Sequence, residues 1–318
     1  MRILVCGAGG FIGHHLTTRL KADGHWVRGC DLKRPEYEGT MADEFIQGDL
    51  RLPQVAASVT YDIEAIYQLA ADMGGIGFIT ENHADISRNN VRINLNMLEA
   101  ARHGSVRRYL YTSSACVYPA HLQRGADVTK LRESDAIPAD PEPGYGWEKL
   151  FSEQLTSYYA KDYGLNARIV RLHNVYGPLG TWEGGREKAP AALCRKVAES
   201  EDGWIDVWGD GEQTRSFCYV DDCVEGLVRL MASDHREPIN LGTEELVTVN
   251  QLAKMVGDVA GKSIRLRYDL TKPQGVRGRN SDNTELHRVL GWEPKIPLRD
   301  GLAKTYPWIR AQLEGRRA

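Results

Sequence analysis

A tyrosine and a lysine four residues apart, Tyr145 and Lys149, head a helical run near the middle of the 318-residue chain. On a helix that offset puts both side chains on one face, where the ammonium can sit near the phenol and favour the phenolate. Tyr145 is then an acid/base able to work near neutral pH, set against the plainer reading of a solvated Tyr/Lys pair. A second set of groups, Arg186, Arg195, Lys196, Arg215, Arg277 and Arg279, is expected in later loops. Forked guanidinium groups suit a phosphate-bearing ligand, although any one of them alone reads equally well as a surface ion-pair partner.

These groups need a scaffold, and its first element is a strand, Ile3 to Cys6, that runs into Gly7-Ala8-Gly9-Gly10-Phe11-Ile12-Gly13 and then a helix. Glycines at 7, 10 and 13 permit a tight turn, close approach of backbone to a pyrophosphate, and packing of helix on strand. The helix N-terminus faces the negative charge, which puts Phe11 and Ile12 beside the ligand. A second strand, Trp26 to Cys30, ends in Asp31, placed to accept hydrogen bonds from the adenosine ribose and to repel a 2′-phosphate. NAD is thereby favoured over NADP, although Lys33 and Arg34 follow closely. Strands near Phe45–Gly48, Ile66–Ala70, Tyr109–Thr112 and Asn166–Leu172, with helices around Asn89–Arg102 and Tyr145–Tyr163, predict an α/β fold with a doubly wound parallel sheet. Leu69 falls at the ligand end of one such strand. Asp49 follows another and either reaches the adenine edge or is an ordinary loop carboxylate. Residues 173–178 and 181–188 mix glycine, proline and opposite charges and are expected to form a lid or pocket wall, not core.

Composition narrows the partners. Forty basic against 43 acidic residues give a net charge of −3, no electrostatic case for nucleic acid or a membrane surface. The six cysteines show neither CxxC pairing nor Cys/His ligand spacing, so no metal site or disulfide framework is expected and a reducing cytoplasm fits. Met1 and Arg2 run straight into the first strand, so the mature chain is expected to start where the sequence does.

With the glycine turn, Ser114 and the Tyr145/Lys149 pair in order, the chain resembles the extended short-chain dehydrogenase/reductases that act on nucleotide sugars. More narrowly, Ala71 to Gly75, Ser113 to Cys116, Gly180 to Ala192, Gly209 to Phe217 and Gly275 to Asn283 are similar to the GDP-mannose 3,5-epimerase family. The resemblance implies a Rossmann-type domain at 1–172 plus about 217–240, and a smaller mixed α/β substrate domain at 173–216 and 241–318. It implies that Gly7, Gly10, Phe11, Ile12, Gly13, Asp31, Asp49, Leu69, Tyr145 and Lys149 hold NAD. A GDP-sugar would be held by Gly74, Ser114, Ala115, Cys116, Asn174, Glu187, Lys188, Ala189, Lys196, Gln213, Arg215, Arg277 and Arg279.

The same resemblance implies the chemistry. Tyr145, oriented through Ser114, exchanges the proton of the sugar C4 hydroxyl while C4 is oxidised. The resulting ketone acidifies the hydrogens at C3 and C5, and Cys116 and Lys188 are the pair that remove and return them. Family members that are dehydratases carry acidic residues after the serine, where Ala115 and Cys116 stand, so dehydration is disfavoured. A 4-epimerase would need only Tyr145 and NAD, and a dinucleotide-sensing scaffold would need none of the four reactive side chains. Glu183 and Trp147 depart from the family pattern, and a substrate contact from the C-terminal extension of plant-like members is not expected, as the sequence ends soon after Trp308. A homodimer is implied, through the helix at Tyr145 and the one near Asn89.

Overall fold

In the structure, a computed structural model that describes residues 1–272 and 275–317, the first six strands are β1 (Arg2–Cys6), β2 (Trp26–Asp31), β3 (Glu44–Gln47), β4 (Ala65–Gln68), β5 (Arg108–Ser114) and β6 (Ala167–Leu172). Four short strands follow, β7 (Val175–Tyr176), β8 (Trp204–Trp208), β9 (Thr214–Ser216) and β10 (Cys218–Tyr219), before β11 (Pro238–Leu241) returns to the main sheet. That sheet is wholly parallel, in the order β11-β6-β5-β4-β1-β2-β3. Helices cover both faces, so β4 at its centre is buried throughout. The helices between strands are α1 (Phe11–Ala22), α2 (Pro53–Thr60), α3 (Ile76–Glu81), α4 (His83–His103), α5 (Tyr145–Tyr163), α6 (Ala189–Glu199) and α7 (Val220–Ala232).

The remaining chain adds β12 (Leu246–Thr248), α8 (Val249–Ala260), β13 (Arg265–Asp269), β14 (Gly278–Arg279), α9 (Thr284–Leu290) and α10 (Leu298–Arg317). β9 sits between β12 and β14, while β8 pairs with β13 in a separate parallel ribbon. One apolar cluster runs from Val5 and Leu16 beside the sheet through Leu193 and Val256 to Leu302 and Ile309, so the main sheet and the C-terminal helices share a core. A second cluster, including Leu4, Ile66, Met97 and Tyr109, covers the opposite face.

Three expectations change. α4 begins at His83, six residues before the expected start, because its first turn lacks both a side-chain cap and an apolar stripe that would mark it. The 181–188 segment is not all surface, since Trp182 is fully buried. Its indole is sheltered by α10, whose Arg316 guanidinium lies 4.7 Å above the ring. Arg195 and Lys196, expected in a loop, stand on α6.

Candidate active site

A cavity of about 630 Å³ follows the C-terminal ends of the sheet strands and is lined by Gly7, Gly10 to Gly13, Asp31, Asp49, Leu69, Tyr145 and Lys149. Every residue expected to hold a dinucleotide is there. A Cβ at Gly13 would lie 2.1 Å from the Gly7 carbonyl oxygen, so helix and turn can close only with glycine. A Cβ at Gly9 would lie 2.0 Å from the Lys33 carbonyl oxygen, a constraint the 7, 10, 13 pattern missed although Gly9 stood inside the same turn. The Gly9 N–H donates to the Asp31 carboxylate at 3.0 Å, tying the turn to the end of β2. α1 has no side-chain cap, and its first residues line the cavity, so the positive end of the helix is turned toward it. A pyrophosphate at the turn and a ribose at Asp31 fit this cradle. Burial raises the Asp31 carboxyl above its usual range, against the N–H groups of Lys33 and Gly9 that favour its charge. Asp49 is paired with Arg51 at 2.8 Å, which holds its carboxyl below the usual range.

A larger cavity of about 1150 Å³ lies against the first and shares Met73, Gly74, Ser114, Tyr145, Leu172 and Lys188 with it. α5 brings Tyr145 and Lys149 to this boundary: it starts directly after Gly144, at φ 69°, and stops at Gly164, at φ 73°. Both residues are buried. The Lys149 ammonium donates to the Thr112 carbonyl at 3.1 Å and lies 5.6 Å from the Tyr145 ring centre. Burial dominates both groups, driving the Tyr145 phenol well above its ordinary range and the Lys149 ammonium below its own. Burial thus opposes the phenolate that a neighbouring ammonium favours.

Across the boundary, Ser114 ends β5 and its hydroxyl oxygen accepts the Cys116 N–H at 3.2 Å, turning the thiol into the larger cavity. The Arg279 guanidinium donates to Cys116 Sγ at 3.3 Å and to Gln123 Oε1 at 2.6 Å. Burial raises the thiol, and Arg279 is the strongest influence lowering it. Lys188, immediately before α6, is lowered by burial, with Cys116 opposing and Arg279 assisting the shift.

Most of the other expected sugar-nucleotide contacts line the same cavity: Gly74, Ala115, Asn174, Glu187, Ala189, Lys196, Gln213, Arg215 and Arg279. Arg215 bonds only to the carbonyls of Thr214 and Val276 among the described residues. Burial and then Arg279 push its guanidinium down to about 9, as expected for a cation held without a counter-charge. Gln213 keeps Oε1 buried and unpartnered. Arg277 is not brought to the cavity wall: its guanidinium pairs with Asp210 at 2.7 Å. Trp208 and Tyr268 on the β8–β13 ribbon also line this cavity, and the sequence reading had assigned them no role because their alternation marks only a half-exposed strand.

Residues 3–242 match the NAD dependent epimerase/dehydratase family. The chain is 49% identical over 316 residues to GDP-mannose 3,5-epimerase 1 of Oryza sativa subsp. indica, across 99% of this chain and 83% of that protein. It is 48% identical over 320 residues to GDP-mannose 3,5-epimerase of Arabidopsis thaliana, across 100% of this chain and 84% of the relative. Among solved structures it is similar to UDP-glucose 4-epimerase of Thermotoga maritima with UDP-glucose, with a TM-score of 0.88 at 27% identity over 98% of this chain and 100% of that one. UDP-glucuronic acid 4-epimerase of Bacillus cereus, in complex with UDP-glucuronic acid and NAD, matches with a TM-score of 0.81 at 27% identity and the same coverages.

Proposed function

Because this chain belongs to the NAD dependent epimerase/dehydratase family, we propose that it is an NAD-dependent epimerase that inverts C3 and C5 of GDP-mannose, giving products of the GDP-L-galactose and GDP-L-gulose type. The observation that carries the reading is the meeting of Tyr145, Cys116 and Lys188 on the wall of one cavity, beside the dinucleotide cradle. A 4-epimerase would leave the thiol and the amine without a task.

Gly7, Gly10 to Gly13, Asp31, Asp49 and Leu69 hold the cofactor, which when bound supplies reversible two-electron oxidation at C4. Tyr145 carries the proton of the C4 hydroxyl in each direction. With C4 a ketone, loss of a proton from C3 or C5 leaves an enolate, and inversion requires one group to remove the proton and another to supply its replacement. Cys116 and Lys188 divide that work. The Lys188 amine, lowered by desolvation, gives up its proton more readily and suits the base, while the Cys116 thiol, raised by burial with Arg279 opposing, suits the group that supplies the replacement proton. Arg215 and Lys196 bind the diphosphate, and Gln213 and Asn174 offer hydrogen bonds to the nucleotide sugar.

The cofactor domain comprises 1–172 and about 217–240, with the remainder as the sugar-nucleotide domain. The working form is a homodimer. Leu95 on α4 and Trp147, Phe151 and Tyr158 on α5 expose large apolar side chains on adjacent helices, a surface suited to a second copy. The six cysteines are free thiols, in keeping with a reducing compartment. No described helix is long and apolar enough to cross a membrane. Incubation with GDP-mannose and resolution of the products by NMR tests the proposal: sugars inverted at C5 and at both C3 and C5 are expected, whereas a product inverted at C4 alone would replace this reading with the 4-epimerase.

A further inference from the structure

A buried carboxylate sits between α4 and α5, beside the acid/base pair. Glu148, between the two residues of the Tyr145/Lys149 pair, is only 3% exposed. Its Oε1 accepts from Asn90 Nδ2 at 2.8 Å and lies 3.9 Å from the Lys149 ammonium, while Oε2 is buried without a hydrogen-bond partner. Adjacent residues on a helix ordinarily point apart, so the approach of these two is imposed by packing between α4, α5 and β5. A buried acid with an unpartnered oxygen is costly, and a neutral or apolar residue would fill the place without that penalty.

The neighbouring charges show what Glu148 is for. Lys149 is faced by Glu148 and Glu153 on its own helix, by Tyr145, by Tyr111 on β5 with its ring 5.0 Å away, and by Cys116. Glu153 is bound by Arg171 through contacts of 2.7 and 2.9 Å, and Cys116 is held by Arg279. Of the two carboxylates only Glu148 has no arginine partner among the described residues, and its other neighbours, Asn90, Ser152 and the Tyr111 phenol, bring no positive charge. Its charge is thus left for Lys149. The Asn90 amide donates to Glu148 and accepts the Asp72 N–H at 2.6 Å, so it is fixed as a donor toward the carboxylate. We propose that Glu148 is a positioning residue that keeps the proton on Lys149, so that the lysine presents a full positive charge to Tyr145 throughout turnover.

This inference rests on the reading of Tyr145 and Lys149 as the acid/base pair. Burial lowers Lys149 and Glu148 is the largest influence opposing it, so removing the carboxylate lets Lys149 lose its proton at a lower pH. A charge at this distance is worth roughly one to three pH units. In full-length Glu148→Gln with NAD, the alkaline limb of the kcat–pH profile should move down by about that amount, with activity recovering toward wild type below the new limb and KM for GDP-mannose unchanged. Asn90→Ala, which removes the donor but spares the carboxylate, should move the limb in the same direction by less. A uniform loss at every pH with an unshifted limb in both variants, or no change in either, would overturn the proposal. Tyr145→Phe run alongside separates the premises: if it stays active, the acid/base reading fails and this inference with it. If it is inactive while the limb stays put, only the inference fails.

Discussion

Lys149, buried, and Lys188, half-buried, are two amines at one active site, both pushed below the usual lysine range, yet a carboxylate stands only beside the first. Around Lys149 the decisive neighbour is the Glu148 carboxylate at 3.9 Å. Around Lys188 the thiols of Cys116 and Cys223 oppose the effect of burial, and a cation, Arg279, adds to it. The α5 side is built to keep a proton on its lysine. The α6 side is built to let one go, and it places a guanidinium on the thiol that shares the task. In the proposed reaction the difference is between a fixed charge that assists Tyr145 and a mobile proton that reaches the sugar.

Exchanging each lysine for arginine, a permanent cation, should separate these roles most sharply. Lys188→Arg removes a proton carrier, and epimerisation should fall by about 10²- to 10⁴-fold. Lys149→Arg retains the charge and should lose at least roughly tenfold less in the same product assay. Equal losses would erase the distinction.

Arg279→Gln should come next. The hydrogen bond from a charged donor to Cys116 is worth about 1.5–3 kcal/mol, so the thiol should titrate roughly one to two units higher without it. Since Arg279 lowers the thiol against burial, its removal reduces the thiolate fraction at any given pH. Alkylation of Cys116 by iodoacetamide near neutral pH should slow by about tenfold or more, with the rate–pH curve displaced upward.

The smallest effects test the walls of the larger cavity. Arg215→Ala should raise KM for GDP-mannose by roughly tenfold or more, because a half-buried cation without a counter-charge is lost. Arg277→Ala should raise it less, since Arg277 already has Asp210 for a partner. A rise as large as that of Arg215 would bring Arg277 into contact with the diphosphate.

Much of this site was legible because its signals are local. The strand, glycine turn and helix lie within the first 22 residues, Asp31 closes the next strand, and α5 is bounded by glycines at both ends. These patterns record backbone requirements that neighbours in sequence satisfy together. The contacts that tune reactivity are not local. Arg279 reaches Cys116 across 163 positions, and Trp182 is covered by a residue of α10, so no spacing rule brings either pair together. Glu148 was visible as a letter inside the Tyr/Lys motif, but its burial depends on α4, whose start the apolar pattern misplaced. Helical spacing brings Lys149 toward Tyr145, but the burial that opposes charge on both groups comes from the packed chain and leaves no mark in the spacing.

The central claim is that a transient ketone at C4 lets Cys116 and Lys188 exchange protons at the two neighbouring carbons. Turnover of GDP-mannose in heavy water measures this directly. Deuterium should appear at C3 and C5 of the product and recovered substrate, and Lys188→Arg should suppress that incorporation. Turnover with no deuterium at either carbon would contradict the account.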